Sequence, residues 1–365
     1  MKKYIAMLLF FGIIVTFDII FFLTPDKKIS RDERRYLTQR PTFSMEILQS
    51  GSYPDELETY LSDQFPFREE FRRLHSVLNL SVFQKMVNND IVISNGSAVK
   101  IEADYPYDSV RKTIQKMNTL KKTCFSENSC YFALIPDKSC YLTDSIYPSV
   151  DYHRIHDMLK EELEDIHTIS LIEHLSLKDY YRTDSHWNQL NLMEISRFLK
   201  EKMGASTDTP KYRIEEIPDF YGVYHAQAAL NTKPETLSYY TNDLLESCTV
   251  YHYDTEATTG IYDLEKLTDP SSLDMYDIFL SGATPLLKIE NPSQDVQKTL
   301  IIFRDSFGSS LTPLLVNAYS EIYLIDLRYI HMDYVKEYLD ITADADVLFL
   351  YSTLLVNTPE NIRID

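Results

Sequence analysis

Thr183-Asp184-Ser185-His186-Trp187-Asn188 is the stretch from which the rest of the chain is read. Asp184 and His186 stand two apart. In an extended backbone that spacing turns both side chains to one face, with Cα atoms about 6.5–7 Å apart. A carboxylate so placed fixes the tautomer of the imidazole and stabilises its charged form, which is the support a general base needs. Trp187 then points to the opposite face, into the core. Asn188 is a good N-cap for a helix over 189–203, and Gly204 is placed to end it. Leu192, Ile195, Leu199 and Met203 fall near a helical period along it. The spacing therefore predicts an Asp/His pair on a rigid turn that enters a buried helix.

A base of this kind needs a nucleophile, and the best candidate is Ser306, in Thr299-Leu300-Ile301-Ile302-Phe303-Arg304-Asp305-Ser306-Phe307-Gly308. Residues 299–303 read as a short buried strand, with a helix over 310–319 behind them. A serine at a strand–turn–helix junction has backbone N–H groups beside it that stabilise a tetrahedral oxyanion, its own and those of its neighbours. Arg304, at the strand's end, is expected to turn its side chain outwards.

Asp184-x-His186-Trp187 followed far downstream by Asp305-Ser306-Phe307-Gly308 resembles the DHHW family and, more broadly, the alginate O-acetylation enzymes. Those are SGNH hydrolase-like proteins with the order permuted. Further stretches carry the likeness over nearly the whole chain: Gly51-x-Tyr53, Ser62-Asp-Gln-Phe-Pro-Phe-Arg68, Leu134-Ile-Pro-Asp-Lys138, Asp219-Phe-Tyr-Gly222 and Ile325-Asp-Leu-Arg-Tyr329. Two departures are Ser185, where the family name implies a second His, and Arg304, where the usual SGNH block has Gly. The resemblance implies an exported catalytic domain, a polysaccharide substrate, and an acyl donor supplied by a membrane-bound O-acyltransferase.

The formal net charge of −19 argues against nucleic acid, since phosphate binding needs clustered Lys and Arg. Tyr is abundant at 27, which suits sugar stacking and equally suits strands. With eight glycines there is little room for a phosphate-cradling loop, and no cofactor is expected. Cys124, Cys130, Cys140 and Cys248 contain no C-x-x-C pair, so no structural zinc is expected. Cys124 and Cys130 close a small disulfide loop if the domain is exported; four buried thiols is the other reading. His153 and His156, three apart on a helix, lack a third ligand and read as solvent-facing.

Lys2-Lys3 precede an apolar run, Tyr4 to Leu23, whose length matches a bilayer core of about 30 Å. No small-x-small cleavage site follows it, so residues 1–23 read as a retained membrane anchor. The basic residues from Lys27 to Arg40 would by charge alone keep the main domain in the cytoplasm. The family resemblance places it outside, and that placement is adopted. Residues 24–105 read as a polar connector and an N-terminal helical cap, with helix over 55–88 broken at Pro66 and a hairpin over 89–101 turning at Asn95-Gly96. From 106 to 204 helices alternate with short apolar strands: helix 109–122, strand 131–135, helix 150–164, strand 168–172. That pattern predicts an α/β fold with a mostly parallel sheet flanked by helices. Residues 205–298 are polar and Tyr-rich and read as an insertion of short antiparallel strands lying over the sheet. The alternating core returns over 299–365 with strands 321–326 and 346–351 around helix 331–339.

Ligands of such sheets bind beyond the carboxyl ends of the strands. Lys138, the Asp184/His186 pair and Ser306 all follow a strand or strand-like stretch. Arg328 and Tyr329 follow another, and with Lys138 they are the candidate substrate contacts; an Arg328–Asp326 structural pair is the competing reading. The residues together with the family resemblance imply an extracytoplasmic serine O-acetyltransferase using Ser306, His186 and Asp184. A carbohydrate acetylesterase and a non-catalytic polysaccharide-binding or assembly protein are the alternatives.

Overall fold

Every second residue of the short apolar runs faces the same way, and this alternation builds the sheet. Leu300 and Ile302 pack on one face with Ile322, Leu324 and Leu348, whereas Ile301 and Phe303 pack on the other with Ile325, Val347 and Phe349. The computed structural model describes residues 2–43, 45, 50–102, 105–143, 146–293, 298–339 and 341–364. Residues 90–222 and 233–365 form one compact unit, and residues 1–89 with 223–232 form another.

The smaller unit begins with the helix Lys2–Leu23, which holds an 18-residue window of mean hydropathy 2.6 and is long and apolar enough over Lys3–Leu23 to cross a membrane. A short antiparallel pair, β1 (Ile29–Ser30) and β2 (Arg35–Tyr36), comes next. The helices Tyr53–Asp63 and Arg68–Val77 follow, separated at Pro66 as the sequence predicts, and the second runs on through a π turn, Leu78–Val82. Asp63 receives two bonds from the Arg35 guanidinium and one from the Thr38 amide. The Arg35 contact in particular holds the Asp63 carboxyl down at about 2.

The larger unit opens with the hairpin of β3 (Ile91–Ser94) and β4 (Ser97–Lys100). It turns at Asn95 and Gly96, both with positive φ (49° and 79°), as a two-residue turn of this type demands. Next, β5 (Ser129–Ile135), β6 (Ile166–Ser170), β12 (Thr299–Arg304), β13 (Glu321–Ile325) and β14 (Asp346–Ser352) are mutually parallel, in the order β13-β12-β14-β5-β6. Such strands are covered on both sides. The helices Tyr107–Cys124, Tyr152–Glu162 and Met332–Tyr338 cover one face, through residues such as Ile114, Met117, Ile155, Leu159 and Val335. The helix Met193–Lys202 and the short helix Ser306–Leu311 cover the other, with Ile195, Leu199, Leu311 and Trp187 in contact with the sheet residues.

The region 205–298 differs from its expected form. Its strands β9 (Thr249–His252), β10 (Ala257–Thr259) and β11 (Leu286–Glu290) do not lie over the sheet. They continue it edge-on, β11 pairing antiparallel with β13, β9 with β11 and β10 with β9. Val250, Leu287 and Ile289 belong to the same buried cluster as the parallel strands. Only β7 (Arg213–Phe220) and β8 (Glu235–Thr241) stand apart as a two-stranded sheet, with Phe220, Leu237 and Tyr239 in a third cluster beside Tyr276 and Phe279. All four cysteines are free thiols, Cys124 and Cys130 included, and only Cys130 and Cys248 are buried.

Candidate active site

β12 ends at Arg304, and the helix Ser306–Leu311 starts two residues on, four residues earlier than the apolar pattern predicts. Asp305 causes the early start. Its carboxylate caps the helix by accepting the Phe307 N–H at 3.1 Å, and its other oxygen accepts the Ser352 N–H at 2.8 Å. One side chain therefore ties the ends of two adjacent parallel strands together and sets Ser306 in the first helical turn. Gly308 is required there: a Cβ on it would lie 2.6 Å from the Arg304 Cβ.

The Asp184/His186 pair forms by a tighter route than the extended backbone expected. Asp184 Oδ1 accepts the backbone N–H of His186 at 2.9 Å, an Asx turn, and also meets His186 Nδ1 at 2.6 Å. On the far side of the ring, His186 Nε2 lies 2.7 Å from Ser306 Oγ. Segments 120 residues apart are so joined in one chain of hydrogen bonds: carboxylate, imidazole, hydroxyl. Trp187, fully buried, locks the two blocks in register by donating its indole N–H to Ser310 Oγ at 2.9 Å and to the Phe307 carbonyl at 3.2 Å. Asn188 caps the turn that follows through the Leu190 N–H, and Gly204 ends the helix with φ of 64°.

Asp184 is fully buried, and a buried carboxylate is tolerated only when it is paired. His186 is buried too. Burial works against its charged form, yet the adjacent Asp184 outweighs burial, and the imidazole's pKa is raised above its ordinary value. The ring of Tyr276 stacks on His186 with centroids 4.0 Å apart and planes 11° apart, and its hydroxyl hydrogen-bonds Ser310 Oγ at 2.6 Å. Nothing local in the sequence marked Tyr276, because its partner lies far back along the chain.

The loop carrying Asp184 is clamped from three sides. Lys138 Nζ donates to the carbonyls of Tyr181, Arg182 and Asp184 at 2.8, 3.1 and 3.0 Å. Glu235 accepts the amides of Arg182 and Thr183 at 2.7 and 2.8 Å. Gly222 packs so closely that a Cβ would fall 2.2 Å from the Thr183 carbonyl carbon. Lys138 is thus no substrate contact on this surface. It is 1% exposed, and burial brings its pKa down to about 7. The sequence marks it as a substrate-facing ammonium; the fold spends it on three backbone carbonyls.

Arg304 also departs from expectation. Its side chain turns inwards, fully buried, with Nη2 on Thr284 Oγ1 at 3.0 Å and on the Gly282 carbonyl at 3.2 Å. Its other terminal nitrogen lies 3.7 Å from Asp326. Arg328 grips the same Asp326 from the solvent side with two bonds of 2.8 and 2.6 Å. Burial opposes the Arg328 charge, but Asp326 more than offsets it and raises its pKa. Tyr329, half exposed, lies under the Arg328 guanidinium at 5.3 Å. Arg328 and Tyr329 stand just past the carboxyl end of β13, the neighbour of the strand that ends at Ser306's junction.

The first-turn amides are largely spoken for: the Phe307 N–H by the Asp305 side chain and the Gly308 N–H by the Asp305 carbonyl at 3.1 Å. The neighbouring amides expected as oxyanion donors are therefore engaged within the turn. Among the described residues no three His, Cys, Asp or Glu side chains gather as a metal site.

The mostly parallel α/β sheet carries a Ser–His–Asp array beyond its strand ends, the arrangement expected of an SGNH hydrolase-like fold. The family described as DHHW protein matches residues 164–325, a stretch that contains the Asp184/His186 loop and Ser306. A crystal structure of a DHHW family protein from Eubacterium siraeum is similar at 22% identity, covering 76% of this chain and 97% of that one, with a TM-score of 0.62. PatB1 of Bacillus cereus is similar at 20% identity, covering 75% and 97%, with a TM-score of 0.57. A second PatB1 structure, with a sulfonyl adduct, gives 18%, 75% and 98%, and 0.57. At these identities the likeness to the solved structures is one of fold. No curated protein matches the chain in sequence.

Proposed function

We propose that the chain is a membrane-anchored, extracytoplasmic O-acetyltransferase that acylates a cell-surface or secreted polysaccharide through Ser306, His186 and Asp184. The observation that carries this reading is the unbroken hydrogen-bond chain from Asp184 through His186 to Ser306 Oγ.

His186 Nε2 takes the Ser306 proton as Oγ attacks the acyl carbonyl of the donor. The bond from that carbon to the donor's leaving atom breaks, and the leaving atom takes the proton from His186. An acyl ester on Ser306 remains. His186 then removes the proton of an incoming sugar hydroxyl, whose oxygen attacks the ester, and returns that proton to Ser306. Asp184 keeps Nδ1 protonated and stabilises the imidazolium at both stages. The acetyl group and the polysaccharide come from the sequence resemblance, as does a membrane-bound O-acyltransferase as donor partner. The N-terminal apolar helix supports anchoring, and Arg328 and Tyr329 are proposed to meet the acceptor at the strand ends.

The test is turnover of a chromogenic acetyl ester by the purified full-length chain. Ser306→Ala and His186→Ala should each lower it by about 10⁴–10⁶-fold. Equal rates in wild type and both variants would sink the enzyme reading in favour of a binding or assembly role. Adding oligosaccharides then separates transfer from hydrolysis: acetylated product marks a transferase, and free acetate alone marks an esterase. A sulfonyl fluoride should add a single group, lost in Ser306→Ala, when intact mass is measured.

A further inference from the structure

The helix Arg68–Val77 and the π turn after it carry their polarity inside out. Phe67, Phe71, Leu74, Leu78 and Val82 recur at helical spacing, and every one is exposed, from 37% at Leu78 to 61% at Val82. The opposite side is polar and buried. Ser76 and Asn79 are bonded to Asn88, and Arg72 reaches Glu33 and the Ala226 carbonyl. A surface helix of a water-soluble body does the reverse, turning its apolar stripe to the core. Among the described residues this stripe meets no buried core.

The N-terminal helix fixes what it meets. The Phe17 ring stacks on Phe65 at 5.5 Å and also contacts Phe67 at 6.4 Å and Phe71 at 5.9 Å. Phe21 contacts Tyr60 at 6.0 Å. Phe17 lies six residues before the end of its helix at Leu23, about 9 Å along the axis at about 1.5 Å per residue. When that apolar helix crosses a bilayer, side chains touching Phe17 stand at the same depth. About 5–10 Å is the depth at which amphipathic helices lie in the headgroup and acyl boundary.

We propose that the apolar stripe from Phe67 to Val82 is embedded in the outer boundary of the lipid bilayer beside the N-terminal helix. The element then lies flat on the membrane as a second, monotopic contact. Its charged side turns away from lipid and is held by the Glu33 and Asp63 carboxylates. The inference rests on the reading of the N-terminal helix as a membrane anchor, and the test separates the two.

The full-length chain is placed in phosphatidylcholine–phosphatidylglycerol vesicles containing lipids brominated either near the headgroup or near the chain ends. Trp187, the single native tryptophan, supplies the baseline emission. The emission added by Phe71→Trp, and independently by Leu74→Trp, should be quenched, and more by the shallow bromines than by the deep ones. That added by Phe10→Trp, midway along the N-terminal helix, should be quenched most by the deep bromines. Quenching at position 10 with none at 71 or 74 overturns the inference while the anchor stands, and points to a protein partner over the stripe. Quenching at none of the three overturns both.

Discussion

His186 is held between two opposing influences, and its titration reports which of them prevails. Burial alone would drive the imidazolium to release its proton early, and Asp184 at 2.6 Å reverses this. In the proposed role of His186 as base only its neutral ring can accept the Ser306 proton, so turnover should rise with pH through a midpoint above the ordinary histidine value of about 6.5. Asp184→Asn removes the largest raising influence and leaves burial in place, with Asp274 and Asp305 as the remaining raising charges. The midpoint should then move to lower pH, while the plateau rate falls by about 10⁴-fold through loss of the correct tautomer. A pH–rate profile of the two proteins checks both shifts, and an unmoved midpoint counts against His186 as the base. The linked contribution to stability runs the opposite way. With its folded pKa raised, the His186–Asp184 pair stabilises fully below the unfolded value and progressively less as pH climbs through the folded one. At this scale the sequence was informative where chemistry was local: Asp184 and His186 are two apart, and Asp305 and Ser306 are adjacent. It was silent on Tyr276, whose stacking depends on a fold that no spacing encodes. It misled at Lys138 and Arg304, because a cation's partners there are backbone carbonyls and a distant carboxylate.

Among the elements, the loop 181–187 is positioned by contacts that leave no slack. Gly222 follows Asp219, whose φ of 63° marks a sharp turn at the end of β7, and its missing side chain lets two backbones touch. Gly222→Ala would force the Thr183–Asp184 backbone aside, costing about 1–3 kcal/mol as overpacking does. The expected outcome is a melting midpoint lowered by several degrees and a fall in kcat larger than the change in KM, since the displaced loop carries the group that orients His186. Thermal unfolding and ester kinetics on the variant measure both. A wild-type kcat with a lowered midpoint would show that the clamp holds the fold but not the reacting geometry. Gly222 stood in the sequence only as the end of Asp219-Phe-Tyr-Gly222, with nothing local to show which backbone it would meet. Helix and strand positions in the parallel core were legible because periodicity is a local property: 299–303 and 346–351 were each a residue short of the observed strands. The start of the Ser306 helix was not legible, because a cap and a strand end compete for the same residues. Nor was the joining of β9–β11 to the sheet, because strands of three to five residues show no preference between an edge and a separate layer.

Across the whole molecule, the order of strands differs from the order of synthesis. β14 lies between β12 and β5, parallel to both, yet it is the latest-made of the eight. Without it the sheet falls into two pieces, one holding the Ser306 junction and the other the strands that lead to the Asp184/His186 loop. A chain cut before Asp346 should therefore be an unfolded or molten species, not a smaller enzyme. Limited proteolysis and near-ultraviolet circular dichroism of the truncated chain would show it, and a protease-resistant core of residues 90–345 would contradict it. A polypeptide made from its N-terminus accordingly keeps the two parts of this sheet apart until Asp346–Ser352 has been made. Closure of the sheet thus waits on topology, because the strand that joins its two halves follows both of them in the chain.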